Sequence, residues 1–182
     1  FSVSAWAAPT SVSTRQALVY SATNGLYVEV GQVSGAVTVG QSGVAATVST
    51  SAVLTAGKTV LITVTKTSGT TTIYINGILS TSIADSKNYS GTINRVGSTD
   101  AGSLYFTGAI NGTLIYNRAL SAAEVVSLYE AGVPAKGDYP SQIAGTSLIT
   151  GNSSTFASGV GSWVVQGAAS IANTTNKMSV TG

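Results

Sequence analysis

Histidine and cysteine are absent from this 182-residue chain. That removes the commonest general base, the commonest transition-metal ligands and every thiol nucleophile. Six carboxylates remain, Glu29, Asp85, Asp100, Glu124, Glu130 and Asp138, beside a large stock of Ser, Thr, Asn and Tyr. Glycoside hydrolysis needs two carboxyl groups about 5–10 Å apart. Only Glu29 falls on a firm strand pattern, and its same-face neighbours, Tyr27 and Gly31, are not acids. Glu124 and Glu130 share a helical pattern, but six positions turn about 240° around the axis. "AGKT" (56–59) has Ala52 where a phosphate loop begins with glycine, and it leads into a strand rather than a helix. A Ser-Lys pair is open by residue type, and no spacing favours one. The expectation is a chain without catalytic residues.

Oxygen-rich residues point instead to binding. Calcium takes carboxylate, amide and carbonyl oxygens from loops. Asp100, in "GSTDAGS", with Asn111 or Asp85 as neighbour, is the expected calcium position. No other cofactor is indicated. Sugars lie on aromatic faces and hydrogen-bond to amides, acids and backbone. Tyr27, Tyr89 and Tyr105 sit near Asn24, Asn88 and Asp100 along the chain. The expected ligand-binding residues are therefore Asn24, Tyr27, Tyr89, Asp100 and Tyr105. Trp6, Tyr74 and Phe106 are assigned to the core.

These residues need a scaffold, and the chain supplies short alternating runs. "FSVSAWAA" has a period of two and stops at Pro9. "QALVYSA" (16–22) and "LYVEV" (26–30) flank Asn24-Gly25, a dipeptide suited to a type I′ hairpin turn. "GAVTVGQ" (35–41) and "VAATVS" (44–49) form a Gly-punctuated pair. "KTVLITVTK" (58–66) places Val60, Ile62 and Val64 on one face. "TTTIYINGILSTSI" (70–83) is a hairpin about Asn76-Gly77, and "TINRVG", "SLYF" and "GAINGTLIYN" complete the strands. Strands so spaced predict an all-β sandwich.

One segment has a different period. Ser121 and Glu124 form a capping box, Leu120 and Val125 stand at the staple positions, and Val125, Leu128 and Tyr129 make an apolar stripe. Gly132 suits the left-handed residue past the end, and Pro134 stops the helix. About ten residues make a marginal helix alone, so it must dock on the sandwich.

In that order these residues resemble the laminin-G-like, concanavalin A-like jelly roll. "FSVSAWAAPT", the "TTTIYINGIL" hairpin and above all "FTGAINGTLIYNRALSAAEVVSLYEAG" carry the likeness. The resemblance implies a jelly-roll β-sandwich over 1–133 with one short C-terminal helix, lacking the family's first strands. Asn111 stands where many relatives carry an acid. A linker is expected over 134–146. Residues 147–182, through "GNSSTFASGVGSW", resemble the start of a carbohydrate-binding module, with Trp163 as its aromatic platform. Phe1 is no initiator, so the expectation is a piece of a longer polypeptide.

Composition bounds the partners. Charged residues make up 8% and net charge is +2, with the bases scattered singly. No basic stripe supports nucleic-acid binding, and no apolar run reaches the ~18 residues of a membrane span. A neutral hydroxyl surface suits an extracellular setting and self-association, with "GAVTVGQ" expected as an uncharged edge strand. The function expected is lectin-like recognition or display, binding glycans or host-surface polysaccharide on a phage virion or cell surface. The alternatives are a purely structural virion or surface-filament component packed on neighbouring subunits, and an accessory domain of a secreted polysaccharide-degrading enzyme.

Overall fold

The computed structural model of the chain describes residues 1–22, 24–44, 46–99, 102–132, 170–174 and 177–181, with only the backbone of 47–49, 170–174 and 177–181. The chain divides into two compact units, Phe1–Tyr139 and Pro140–Gly182. The described part of the second is one antiparallel hairpin, β11 (Ser170–Thr174) with β12 (Lys177–Thr181). The expected linker and Trp163 lie outside the described residues.

The first unit is a sandwich of two five-stranded antiparallel sheets. Its strands are β1 (Ser2–Pro9), β2 (Gln16–Ser21), β3 (Leu26–Val30), β4 (Val37–Gln41), β5 (Ala46–Ser49), β6 (Val60–Lys66), β7 (Thr70–Ile75), β8 (Ile78–Ala84), β9 (Ile93–Val96) and β10 (Gly108–Tyr116). One sheet runs β10-β1-β6-β7-β8 and the other β5-β4-β3-β2-β9. The chain crosses between sheets after β1, β5, β8 and β9, so each sheet mixes strands distant in sequence. The expected sandwich with one short helix is what forms.

Alternation builds the core. Val3, Ala5 and Ala7 of β1, Val60, Ile62 and Val64 of β6, and Ile73 face Leu18, Leu26, Val28, Val30, Val37 and Val39 across the sandwich. Each such side chain, taken from water, contributes about 1.5–3 kcal/mol before the entropy of ordering it. The alternate residues of β1 and β6 are buried too: Ser2, Ser4, Trp6, Leu61 and Thr63. Their cover is α1 (Ala122–Glu130) and the segment leading into it. Trp6 stacks on Tyr129 at 5.8 Å between ring centroids. Ser2 Oγ donates to the Arg118 carbonyl at 3.0 Å and accepts the Leu120 N–H at 2.8 Å. Val125 and Leu128 are buried, and the capping box has both of its hydrogen bonds. Trp6 is thus buried on the outer face under the helix rather than in the sandwich core.

Three local expectations need correction. "GAVTVGQ" is not an edge, because β4 lies between β3 and β5. "SLYF" forms no strand: Leu104 has φ 50°, outside the strand region, and its carbonyl accepts the Ala17 N–H at 2.8 Å. Asn24-Gly25 is not a two-residue type I′ turn: Asn24 has φ 61°, Gly25 is not left-handed, and the Gly25 N–H closes on the Ala22 carbonyl. Asn76 and Gly77, at φ 52° and 78° between paired Ile75 and Ile78, do form that turn.

Candidate functional site: a cleft on the uncovered sheet

The outer face of β5-β4-β3-β2-β9 carries a cleft of about 470 Å³. Its position follows from the alternation on β3. With Leu26, Val28 and Val30 in the core, Tyr27 and Glu29 must point away from it. Tyr20 lies opposite Tyr27 in the β2–β3 register, which puts two phenols side by side. Arg15, just before β2, reaches back over Glu29. Ser42 and Thr99 line the cleft from the β4–β5 turn and from the loop after β9.

Two arrangements stiffen this surface. Arg15 Nε donates to Glu29 Oε2 at 2.8 Å and Nη2 donates to Oε1 at 3.0 Å. The carboxylate is 1% exposed and the guanidinium side chain 46% exposed, so Arg15 roofs its partner. The hydrogen bonds from Arg15 raise the Arg15 pKa above its ordinary value. The second arrangement involves Gly40, which pairs with Tyr27. A Cβ on Gly40 would come within 2.2 Å of the Tyr27 Oη and 2.3 Å of Cζ. The phenol ring therefore lies across bare β4 backbone, and Tyr27 is only 5% exposed. That burial, with Glu29 beside it, pushes the Tyr27 hydroxyl pKa up. Tyr20 stays partly open, and its hydroxyl meets Ser42 Oγ at 2.8 Å.

The expected site residues scatter. Tyr27 lines the cleft, but as a buried floor rather than an open platform. Asn24 is exposed in the β2–β3 turn, where its carbonyl accepts from Gln41 Nε2 at 3.0 Å. Tyr89 turns inward: its hydroxyl donates to Asp85 Oδ2 at 2.8 Å, its ring meets Phe1 edge-on at 5.8 Å, and it packs against the core. It is half-buried, so part of its ring is held by these contacts. Tyr105 is 63% exposed on the loop before β10. Asp100 lies outside the described residues.

The other two calcium candidates belong to opposite edges of one sheet, Asn111 on β10 and Asp85 just after β8. Asn111 Oδ1 accepts the Gly112 N–H at 2.8 Å. Asp85 is buried, accepting from Thr71 Oγ1 at 2.6 Å, Tyr89 and the Lys87 N–H. Burial works to raise the Asp85 pKa, but these hydrogen bonds outweigh it and hold the carboxyl below its ordinary value. Among the described residues no group of three or more acids could hold a metal ion.

Arg15, Tyr20, Ser42 and Thr99 were not singled out from sequence as a site. The one signal was the placement of Tyr20 and Tyr27 about a common turn, and it needed the register to be read. In chemical terms the cleft offers hydroxyl donors and acceptors, half-open aromatic surface and a fixed guanidinium. Among the described residues Glu29 is its one carboxylate.

No curated protein sequence matches the chain. Solved structures match its fold. A Bacteroides ovatus protein proposed to bind carbohydrate aligns with TM-score 0.57 and 13% identity over 69% of this chain. The aligned part spans 39% of that protein. The CBM40 domain of the Ruminococcus gnavus IT-sialidase aligns with TM-score 0.58 and 13% identity, covering 70% of this chain and 81% of the domain. A heptameric SAP-like pentraxin from Limulus polyphemus aligns with TM-score 0.58 and 12% identity, covering 72% and 70%. At such identities the likeness is one of fold. In sequence, a laminin-G-type family model matches residues 1–126, and the chain belongs to the concanavalin A-like lectin/glucanases superfamily.

Proposed function

We propose that the sandwich is a non-catalytic, lectin-like recognition module that binds glycans through the cleft over β2, β3 and β4. The observation that carries this reading is the placement of Tyr20, Ser42, Thr99 and the roofed Arg15–Glu29 pair on the sheet face that α1 leaves uncovered. Hydroxyl-rich ligands need many shallow polar contacts and a partly open aromatic surface, and this cleft provides both. Absence of catalysis is supported by Glu29, whose two oxygens are taken up by Arg15, with no second carboxylate on the cleft among the described residues. A domain of similar fold, the R. gnavus CBM40 domain, has been solved bound to α2,3-sialyllactose. We place the module in a larger extracellular protein, a phage virion appendage or a cell-surface protein.

A glycan array on the chain, with and without calcium, tests the reading. Binding to a defined set of glycans, weakened at least tenfold in Tyr20→Ala, is the expected result. Silence of the folded protein across the array in both conditions would overturn it.

One observation favours a structural reading instead. Ile78 and Leu79 of edge strand β8 are 73% and 57% exposed, directly after Gly77, against which half-exposed Val126 and Tyr129 of α1 lie. An apolar strip beside an uncharged strand edge suits packing on a neighbouring subunit. Array silence together with concentration-dependent assembly would support that alternative.

A further inference from the structure

From the free edge of Arg15 we infer that the cleft selects saccharides bearing a carboxylate over neutral ones. The inference rests on the glycan-binding reading above and specifies its ligand class. A guanidinium has five N–H donors arranged on two usable edges. Glu29 occupies the side edge, taking Nε at 2.8 Å and Nη2 at 3.0 Å. The end-on edge, one hydrogen each of Nη1 and Nη2, has no protein partner among the described residues. Two parallel N–H groups of this kind match the two oxygens of a carboxylate, whereas a sugar hydroxyl meets only one of them well.

Burial supports the same direction. Glu29 is 1% exposed and Arg15 46%, so a ligand meets the cation first and the anion only behind it. Coulomb energy falls with distance, so a ligand carboxylate on the free edge gains more from the near guanidinium than it loses to the far carboxylate. Glu29 also holds the fork rigid, which lowers the ordering cost of binding. Tyr20 and Ser42 are already bonded to each other at 2.8 Å beside the fork, leaving their remaining lone pairs and the ring edge for the sugar hydroxyls.

The carboxylate has two common saccharide sources, hexuronic acids within a polymer and terminal sialic acids, and the test separates them. Calorimetric titrations of the whole chain would use trigalacturonate, α2,3-sialyllactose, the methyl ester of each, and lactose. The expected result is that at least one carboxylated sugar binds ten times or more tighter than its own methyl ester. The acid that does so identifies the source. Arg15→Lys keeps a cation for Glu29 but has no fork, and should erase that ratio. Glu29→Gln should hold or increase it, because the opposing anion is gone and the shape is kept. Acid and ester binding alike, with Tyr20→Ala weakening both, would overturn the carboxylate preference and leave glycan recognition standing. No binding by any sugar, from protein with an unchanged melting transition, would overturn both.

Discussion

The two sheets have the same strand number and share one core, yet their outer faces have opposite fates. On β1 and β6 of the β10-β1-β6-β7-β8 sheet the outward residues are small hydroxyls, Leu61 and Trp6, and α1 lies against them. On β5-β4-β3-β2-β9 the outward residues are Tyr20, Tyr27, Glu29 and Thr38, and the described chain places no helix there. The first face stabilises the fold. The second keeps its polar groups ordered without covering them, through the roof of Arg15 and the ring of Tyr27. One helix, capped at both ends, therefore decides which face is left uncovered.

Truncating the covered face should cost the most. Leu128 is 3% exposed under the helix, and Leu128→Ala should lower stability by about 3 kcal/mol, the mid-range for an emptied leucine site. Urea unfolding measures it, and glycan binding by the folded fraction should not change. A loss under about 1 kcal/mol would mean that α1 does not latch the sheet. Next comes Arg15→Met, which strips a buried carboxylate of its partner. Glu29 regains some water because its roof was half open, so about 2 kcal/mol is expected rather than the cost of a fully enclosed charge. Adding Glu29→Gln should recover most of that. If the double variant is as unstable as the single, the ion pair is not what orders this face.

The same contrast explains how far the sequence can be read. The covered face was legible because its signals are local: Ser121, Glu124 and Gly132 mark a helix, and a short helix with an apolar stripe must dock. Asn76-Gly77 was legible for the same reason, since a two-residue turn between paired isoleucines sets its own backbone. Asn24-Gly25 has the same letters and another geometry. There a Cβ on Gly25 would meet Ser21 Oγ at 1.8 Å, and one on Gly91 would meet Gly25 Cα at 2.7 Å. Gly25 is small because Ser21 and Ala22 of its own turn leave no room for a side chain, not because a left-handed φ requires it. The cleft was illegible for another reason. Arg15 and Glu29 lie 14 positions apart, and only the β2–β3 register and the chain reversal before β2 join them. Tyr89, expected to meet a sugar, donates its hydroxyl to Asp85 four positions earlier. An aromatic beside polar residues looks the same in sequence whether it faces a ligand or a buried acid.

A smaller effect is expected from Gly40→Ala. The new methyl would overlap the Tyr27 ring, and the ring must swing off β4. Overpacking of this kind costs about 1–2 kcal/mol. The change also lifts the cleft floor, so it should weaken sugar binding more than its stability loss explains. Equal loss of neither, with Tyr27 still in place by NMR, would show that the ring does not depend on a bare strand.

The smallest expected effect is a difference in acid sensitivity, and it belongs to the helix. Arg118 Nη2 and Nη1 donate to Glu124 at 2.6 and 2.9 Å, and the Ser121 N–H adds a third hydrogen bond at 2.8 Å. Led by Arg118, these hold the Glu124 carboxyl down to about 2. In the unfolded chain a glutamate takes up its proton near pH 4.3. Below that pH the unfolded state binds a proton that the folded state still refuses, so the stabilisation is complete above about 4.3 and drains away as pH falls towards 2. Glu124→Gln can still serve in a capping box but cannot titrate. Urea midpoints measured at pH 6, 4 and 2.5 should therefore fall more steeply in the parent than in the variant, and the two should converge at the lowest pH. The Asp85 carboxyl, also held low but by hydroxyls and a backbone N–H rather than by α1, is common to both proteins and cancels in the comparison. Parallel pH profiles would place the charge of Glu124 outside the latch and leave the cap to its hydrogen bonds alone.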